Sequence, residues 1–199
     1  MYRANVSPPG FAPTPGRVRQ RSNLLYVSDM SGSMMRDAFE HHVWATIRLI
    51  DACLPLDDEQ LATTVPGTYG SIIETMRHMV GADSWYLFDL TADPARRIDE
   101  DRMNLRGLRT GMEADRAAWA DLLASDADPD RVVTEVDESD GFERDAPIGI
   151  RLAQALSHGT DHRSQICTAL TTLGIGPPSI DVWDYGLDAG RTSERQPNS

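Results

Sequence analysis

The sequence predicts an all-α protein, a four-helix bundle with irregular ends, and three observations carry this prediction. Apolar residues recur at three- and four-residue steps in four separate stretches, which is the period of an amphipathic helix. Helix-capping or helix-breaking residues bound these stretches. The chain of 199 residues has room for one hydrophobic core, so we expect the four helices to pack together in a single domain.

The first two helices are predicted over residues 34–54 and 71–90. Pro55 ends the first helix, because proline cannot continue a helical hydrogen-bond ladder. Ser71 is a favourable N-cap for the second helix, and Glu74 three residues later completes a capping-box pattern. The first apolar stripe comprises Phe39, Val43, Ile47, Ile50 and Leu54.

The third and fourth helices are predicted over residues 108–124 and 148–173, and Gly174 is a suitable C-cap for the last one. Between them, valine and threonine alternate with charged residues in "RVVTEV", which favours a short extended pair. After the fourth helix we expect an irregular C-terminal extension that packs on the bundle through Val182, Trp183 and Tyr185.

The ends of the chain are predicted to lie outside the bundle. Residues 1–33 contain "SPPGFAPTPGRVRQRS", which is rich in proline, glycine and arginine and has no apolar period, so we expect a disordered N-terminal tail. Residues 189–199 are expected to form a second disordered tail. The bundle domain itself is therefore predicted over residues 34–188.

Charge and composition exclude several classes of partner. The net charge of −12 opposes binding to nucleic acid or to anionic membranes. Apolar runs such as "LIDACL" are too short to span a bilayer, and no secretory signal is visible, so we expect a cytoplasmic protein. We further expect it to be a monomer or a homodimer. Cys53 and Cys167 stand in no metal-binding or redox spacing and are interpreted as reduced core thiols.

Two histidines in "LSHGTDHRSQI" are the strongest functional signal. His158 and His162 are four residues apart in the fourth predicted helix, so their side chains lie on one face, one above the other. His78 in the second predicted helix is a possible third ligand, and three protein ligands with an open position are typical of catalytic metal sites. A solvated or hydrogen-bonded histidine pair is the alternative. Glu74 is a candidate catalytic base, or else only the capping-box partner of Ser71.

Three stretches together carry a family resemblance. They are "HHVWATIRLIDACLPLDDEQL", "GTYGSIIETMRHMVGADSWYL" and "ALSHGTDHRSQICTALTTLGIGPPSIDVWDY". Over residues 36–186 the chain resembles the DinB/YfiT-like superfamily of metal-binding four-helix bundles. The resemblance implies that His78, His158 and His162 bind one divalent metal ion, zinc or nickel.

His42 departs from the family pattern, in which many first helices carry asparagine two residues before the tryptophan, here Trp44. The resemblance therefore makes His42 a second candidate catalytic residue, one that lines the metal cleft without being a primary ligand. The alternative is a half-buried histidine that flanks Thr46 and Leu49.

The same resemblance implies an activity. Characterised relatives use the metal with a low-molecular-weight thiol such as mycothiol, bacillithiol or glutathione, in S-transfer or in isomerisation of the maleylpyruvate type. A small-molecule thiol and an electrophile are then the expected partners. A metal-dependent hydrolase and a non-catalytic, stress-associated metal-binding bundle remain alternatives.

Two charged residues fall within apolar stripes. Asp83 lies in the stripe of the second predicted helix, and Arg163 lies in that of the fourth. Because a lone buried charge is costly, we expect the two to meet as a bidentate ion pair. Exposure at the bundle surface or at a subunit interface is the competing interpretation.

Overall fold

The computed structural model describes residues 20–125, 127–136 and 141–196, with side chains from residue 34 onward. Four long helices form the body, which confirms the all-α bundle: α1 (Gln20–Cys53), α3 (Ile72–Thr91), α4 (Leu105–Ala124) and α5 (Ile148–Thr172). The smaller elements are α2 (Asp58–Leu61), α6 (Val182–Asp188), two 3₁₀ turns (Pro94–Arg96 and Glu100–Arg102) and two strands, β1 (Val132–Val136) and β2 (Glu143–Pro147).

Capping residues explain where α3 and α4 begin. The backbone N–H of Glu74 donates to the Ser71 hydroxyl, and Glu74 accepts from the backbone N–H of Ser71 at 2.8 Å, so the predicted capping box is confirmed. Asn104 caps α4 by accepting from the backbone N–H of Gly107 at 2.9 Å. This cap starts α4 at residue 105, three residues before the predicted start.

The first helix is longer than the sequence pattern predicted. It begins at Gln20 rather than at residue 34, so the backbone of residues 20–33 is helical where we expected a disordered tail. Pro15 is the last proline before Pro55, so no helix-breaking proline opposes the extension. The remainder of the predicted tail, residues 1–19, lies outside the described residues, as do residues 197–199.

A small hairpin is fastened to the bundle by Arg151. Strands β1 and β2 pair antiparallel, which confirms the predicted extended pair. Arg151, on α5, is buried and donates to the Asp89 carboxylate at 2.9 Å and to the Glu135 carboxylate at 2.8 Å. It also donates to the backbone carbonyls of Val133 and Arg144, so one guanidinium joins α3, α5 and both strands.

The core lies between the four long helices. Its largest fully buried side chains include Phe39, Leu49, Met76, Leu87, Leu108, Met112, Trp119, Ile166 and Leu170. Cys53 belongs to this core, and burial raises the pKa of its thiol to about 12, in keeping with a packing role. None of the described helices is long and apolar enough to cross a membrane.

The C-terminal extension packs through fewer residues than predicted. Tyr185 is buried against the bundle, but Val182 and Trp183 are 61% and 75% exposed. The reason is that residues 182–188 form the short helix α6, and a single short helix on the bundle surface turns only one face inward.

Candidate metal centre

Three histidine side chains converge between α3 and α5. His78 reaches across from α3, and His158 and His162 project from successive turns of α5. The Nε2 atom of His158 lies 3.0 Å from Nε2 of His78 and 3.1 Å from Nε2 of His162. One ring nitrogen from each residue lies within 4.8 Å of the other two. The structure therefore brings together the three histidines that the sequence analysis named as candidate metal ligands.

The positions of the protons test whether this cluster fits a cation. His162 Nδ1 lies 3.2 Å from the side-chain oxygen of Gln165, and an amide oxygen only accepts, so Nδ1 carries the proton. In the neutral ring, Nε2 of His162 then presents a lone pair to the cluster. Nε2 of His158 has a single in-plane position, occupied by a proton or by a lone pair, and cannot hydrogen-bond fully with two neighbours at once.

A divalent ion would satisfy all three nitrogens together, since each would direct a lone pair at the same point. Imidazole nitrogens that bind one ion at about 2.0–2.2 Å stand roughly 3.0–3.5 Å apart, close to the separations of 3.0 and 3.1 Å between Nε2 atoms here. The donor set thus fits a divalent metal ion.

Burial favours the neutral form of the His158 and His78 rings. Burial, reinforced by the neighbouring His162 and His78 rings, lowers the pKa of His158 to about 4. Burial, followed by the influence of His162, also lowers the pKa of His78. Neutral imidazole is the form that binds metal, so little proton release is needed at neutral pH.

Two residues that the sequence analysis missed complete the surroundings of the cluster. Tyr69, from the segment before α3, stacks on the His78 ring with centroids 4.0 Å apart and planes 6° apart. Gln165 accepts from the backbone N–H of Tyr69 at 2.8 Å and contacts His162. Nδ1 of His158 is buried without a hydrogen-bond partner among the described residues. The "HRSQ" motif contained the signal for Gln165, since its glutamine lies three residues after His162.

A cavity of about 410 Å³ opens beside His78. Trp85 and Tyr86 of α3 form one wall, and Glu135 of β1 forms another. The Trp85 indole N–H donates to the Glu135 carboxylate at 2.9 Å, and the Arg97 guanidinium lies 5.0 Å above the Trp85 ring. The cavity therefore combines aromatic and charged walls next to one of the three histidines, and its volume is in the range of small-molecule sites.

Comparison with family models decides the relationship. The model of the DinB family matches residues 30–194, which include all three histidines and the four long helices apart from the first ten residues of α1. The chain belongs to the DinB family. No curated protein matches the sequence.

His42 occupies a different place in this DinB protein from the one predicted. It is fully buried rather than half-buried, and it lines an apolar cavity of about 660 Å³ bounded by α1, α5 and α6, not the cavity beside His78. Its Nε2–H donates to the Asp83 carboxylate at 2.7 Å, and its Nδ1 accepts from Arg163 at 3.0 Å. His42 is therefore a link within the core.

This link corrects the predicted Asp83–Arg163 pair. Both charged side chains are buried, as expected, but no direct ion pair joins them, and the imidazole of His42 lies between them. Gly159 makes room for that ring, since a Cβ atom at this position would lie 2.3 Å from Cε1 of His42. The sequence pattern missed the arrangement because His42 comes from α1, a third helix.

Glu74 stays outside the histidine cluster of this DinB protein. Its carboxylate accepts from both the hydroxyl and the backbone N–H of Ser71, and these hydrogen bonds lower the pKa of Glu74. The side chain is exposed, and it is not among the residues that could share a metal ion. The structure thus favours the capping interpretation of Glu74 over a role as base.

Proposed function

We propose that this DinB protein is a metal-dependent enzyme that acts with a low-molecular-weight thiol, in S-transfer or isomerisation. The convergence of three Nε2 atoms beside a cavity is the observation that carries the proposal. His78, His158 and His162 would hold one divalent ion, zinc or nickel. Three protein ligands leave room for an exogenous ligand, as in catalytic rather than structural sites.

In the proposed reaction the metal ion and the protein side chains would have different roles. A bound divalent cation stabilises a thiolate over the corresponding thiol, and the thiolate is the nucleophile. The three imidazoles would supply the lone pairs. Gln165 orients the His162 ring, and Tyr69 covers the outer face of His78. The cavity along Trp85, Tyr86 and Glu135 is the space in which the electrophile would be positioned.

Metal content is the first test. Protein made without a histidine tag and reconstituted with zinc or nickel should retain about one equivalent by elemental analysis, and His158→Ala should lose it. His41→Ala is the matched control, because His41 bonds to the backbone carbonyl of Ile180 and stands outside the cluster. A metal-free wild type, or equal losses in the two variants, would contradict the proposed site.

Thiol chemistry is the second test. Mycothiol, bacillithiol and glutathione should be screened with a chromogenic electrophile, and thiol consumption should depend on added metal. Hydrolysis of a test ester without thiol would favour the hydrolase alternative, since a metal can also ionise water. Metal binding with neither reaction would favour a non-catalytic bundle.

A further inference from the structure

We infer that Gln165 is a positioning residue that sets the tautomer of His162 and holds Tyr69 over the cluster, with Asp161 fixing the orientation of its amide. The inference deepens the proposed metal site. Its consequence for metal affinity rests on the proposed function, whereas its consequences for the His162 tautomer and the Tyr69 hydrogen bond concern the metal-free protein. The inference and the proposed function can therefore be refuted separately.

The orientation of the Gln165 amide follows from its partners. Its Nε2 lies 2.8 Å from the Asp161 carboxylate, which can only accept a hydrogen bond while ionised. The amide NH₂ group therefore faces Asp161, and the amide oxygen faces the opposite way, towards His162 and the backbone N–H of Tyr69. Asp161, although exposed, selects which end of the amide reaches the His162 ring.

The amide oxygen then determines what His162 can offer. With the oxygen 3.2 Å from Nδ1, the Nδ1–H tautomer gains a hydrogen bond that the Nε2–H tautomer lacks. Only the Nδ1–H tautomer leaves a lone pair on Nε2, the atom that faces His158 at 3.1 Å. Gln165 thereby prepares Nε2 of His162 as a ligand before any ion arrives.

The same oxygen also anchors the residue that covers the cluster. It accepts from the backbone N–H of Tyr69 at 2.8 Å, and the Tyr69 ring stacks on His78 and meets the His162 ring edge-on with centroids 5.6 Å apart. One acceptor atom thus connects the segment before α3 to a ligand on α5. Loss of that atom should release both groups together.

The test is nitrogen-15 NMR of the histidine rings in metal-free protein, combined with metal titration. We expect His162 to be the Nδ1–H tautomer in the wild type. In Gln165→Met the preference should disappear, and hydrogen exchange at the Tyr69 amide should become faster. Ser164→Ala, an exposed change one residue away on α5, is the control and should alter neither reading.

Metal titration supplies the second reading. Gln165→Met should weaken zinc binding by about 10–100-fold, the usual effect of removing a partner that orients a metal-bound histidine, and Ser164→Ala should not. An Nε2–H tautomer in metal-free wild type, or an unchanged tautomer in Gln165→Met, would overturn the inference. A normal tautomer pattern in a wild type that binds no metal would instead overturn the proposed function.

Discussion

Replacing Asp83 with alanine should strand a positive charge inside the bundle. Arg163 is 3% exposed, and its guanidinium donates to His42, Thr46 and Thr160, which are all uncharged acceptors. Burial lowers the pKa of Arg163 to about 10, and the negative charge of Asp83 opposes that shift. Without Asp83 the arginine keeps its desolvation cost and loses the charge that offsets it.

The expected loss is large. Leaving a buried charge uncompensated costs about 3–5 kcal/mol of unfolding free energy, and Asp83→Ala leaves Arg163 in that state although His42 lies between the two charges. Arg163→Leu should be costly for the same reason, since it removes the positive charge that compensates the buried Asp83 carboxylate. The double variant removes both charges, so its loss should fall short of the sum of the single losses by about 0.5–3 kcal/mol.

Urea unfolding of the wild type, both single variants and the double variant at pH 7 measures this cycle. The matched control is the exposed pair of Asp99 and Arg102, whose side chains are 63% and 87% exposed. Asp99→Ala should cost less than about 1 kcal/mol. Strictly additive losses for Asp83→Ala and Arg163→Leu, or a loss in Asp83→Ala no larger than in the control, would refute an energetic coupling between the two residues through His42.

Three further outcomes follow from buried groups elsewhere in the bundle. Burial raises the pKa of Asp115 from 3.8 to about 7, so the folded state keeps a proton that the unfolded state releases. The free energy of unfolding should therefore fall as pH rises from about 4 to 7, by on the order of 3–4 kcal/mol, and urea unfolding of Asp115→Asn should lack this contribution to the slope. Gly159→Ala places a Cβ atom 2.3 Å from the His42 ring and should destabilise by about 1–3 kcal/mol in urea unfolding, whereas Gly176→Ala, with nothing within 4 Å, should not. Arg151→Leu removes the cation that joins Asp89 of α3 to Glu135 of β1, so hydrogen exchange in β1 and β2 should accelerate, and protection equal to the wild type would contradict the fastening role.

Local patterns were sufficient to predict four helices and a shared face for His158 and His162, whereas the set of three metal ligands was implied by the family resemblance. Helical periodicity and the Ser71 capping box locate α3 within one residue of its observed ends, because both signals act over a few neighbouring positions. The spacing of His158 and His162 predicts a shared face for the same reason. His78 could be paired with them once the helices were taken to be neighbours in a bundle.

Contacts between distant segments were not accessible in the same way. His42 and Arg163 are separated by 121 positions, and no local period indicates that a third side chain lies between two charges. Tyr69 reaches Gln165 across 96 positions, from a segment that looked only like a connection. The early start of α1 was missed because the proline-rich stretch before it was extended too far along the chain.

Helix α5 serves two neighbours with the same two turns. His158 and His162 face α3, while Gly159 and Arg163, each the next residue along, face the His42 ring on α1. A screw motion of α5 by one residue, about 1.5 Å and roughly 100°, would displace the two histidines from α3 and the Gly159–Arg163 pair from α1 at the same time. The spacing of the histidine nitrogens consequently cannot be adjusted by sliding or rotating this helix. Any redesign of metal preference on this scaffold has to exchange side chains while the backbone of α5 stays still.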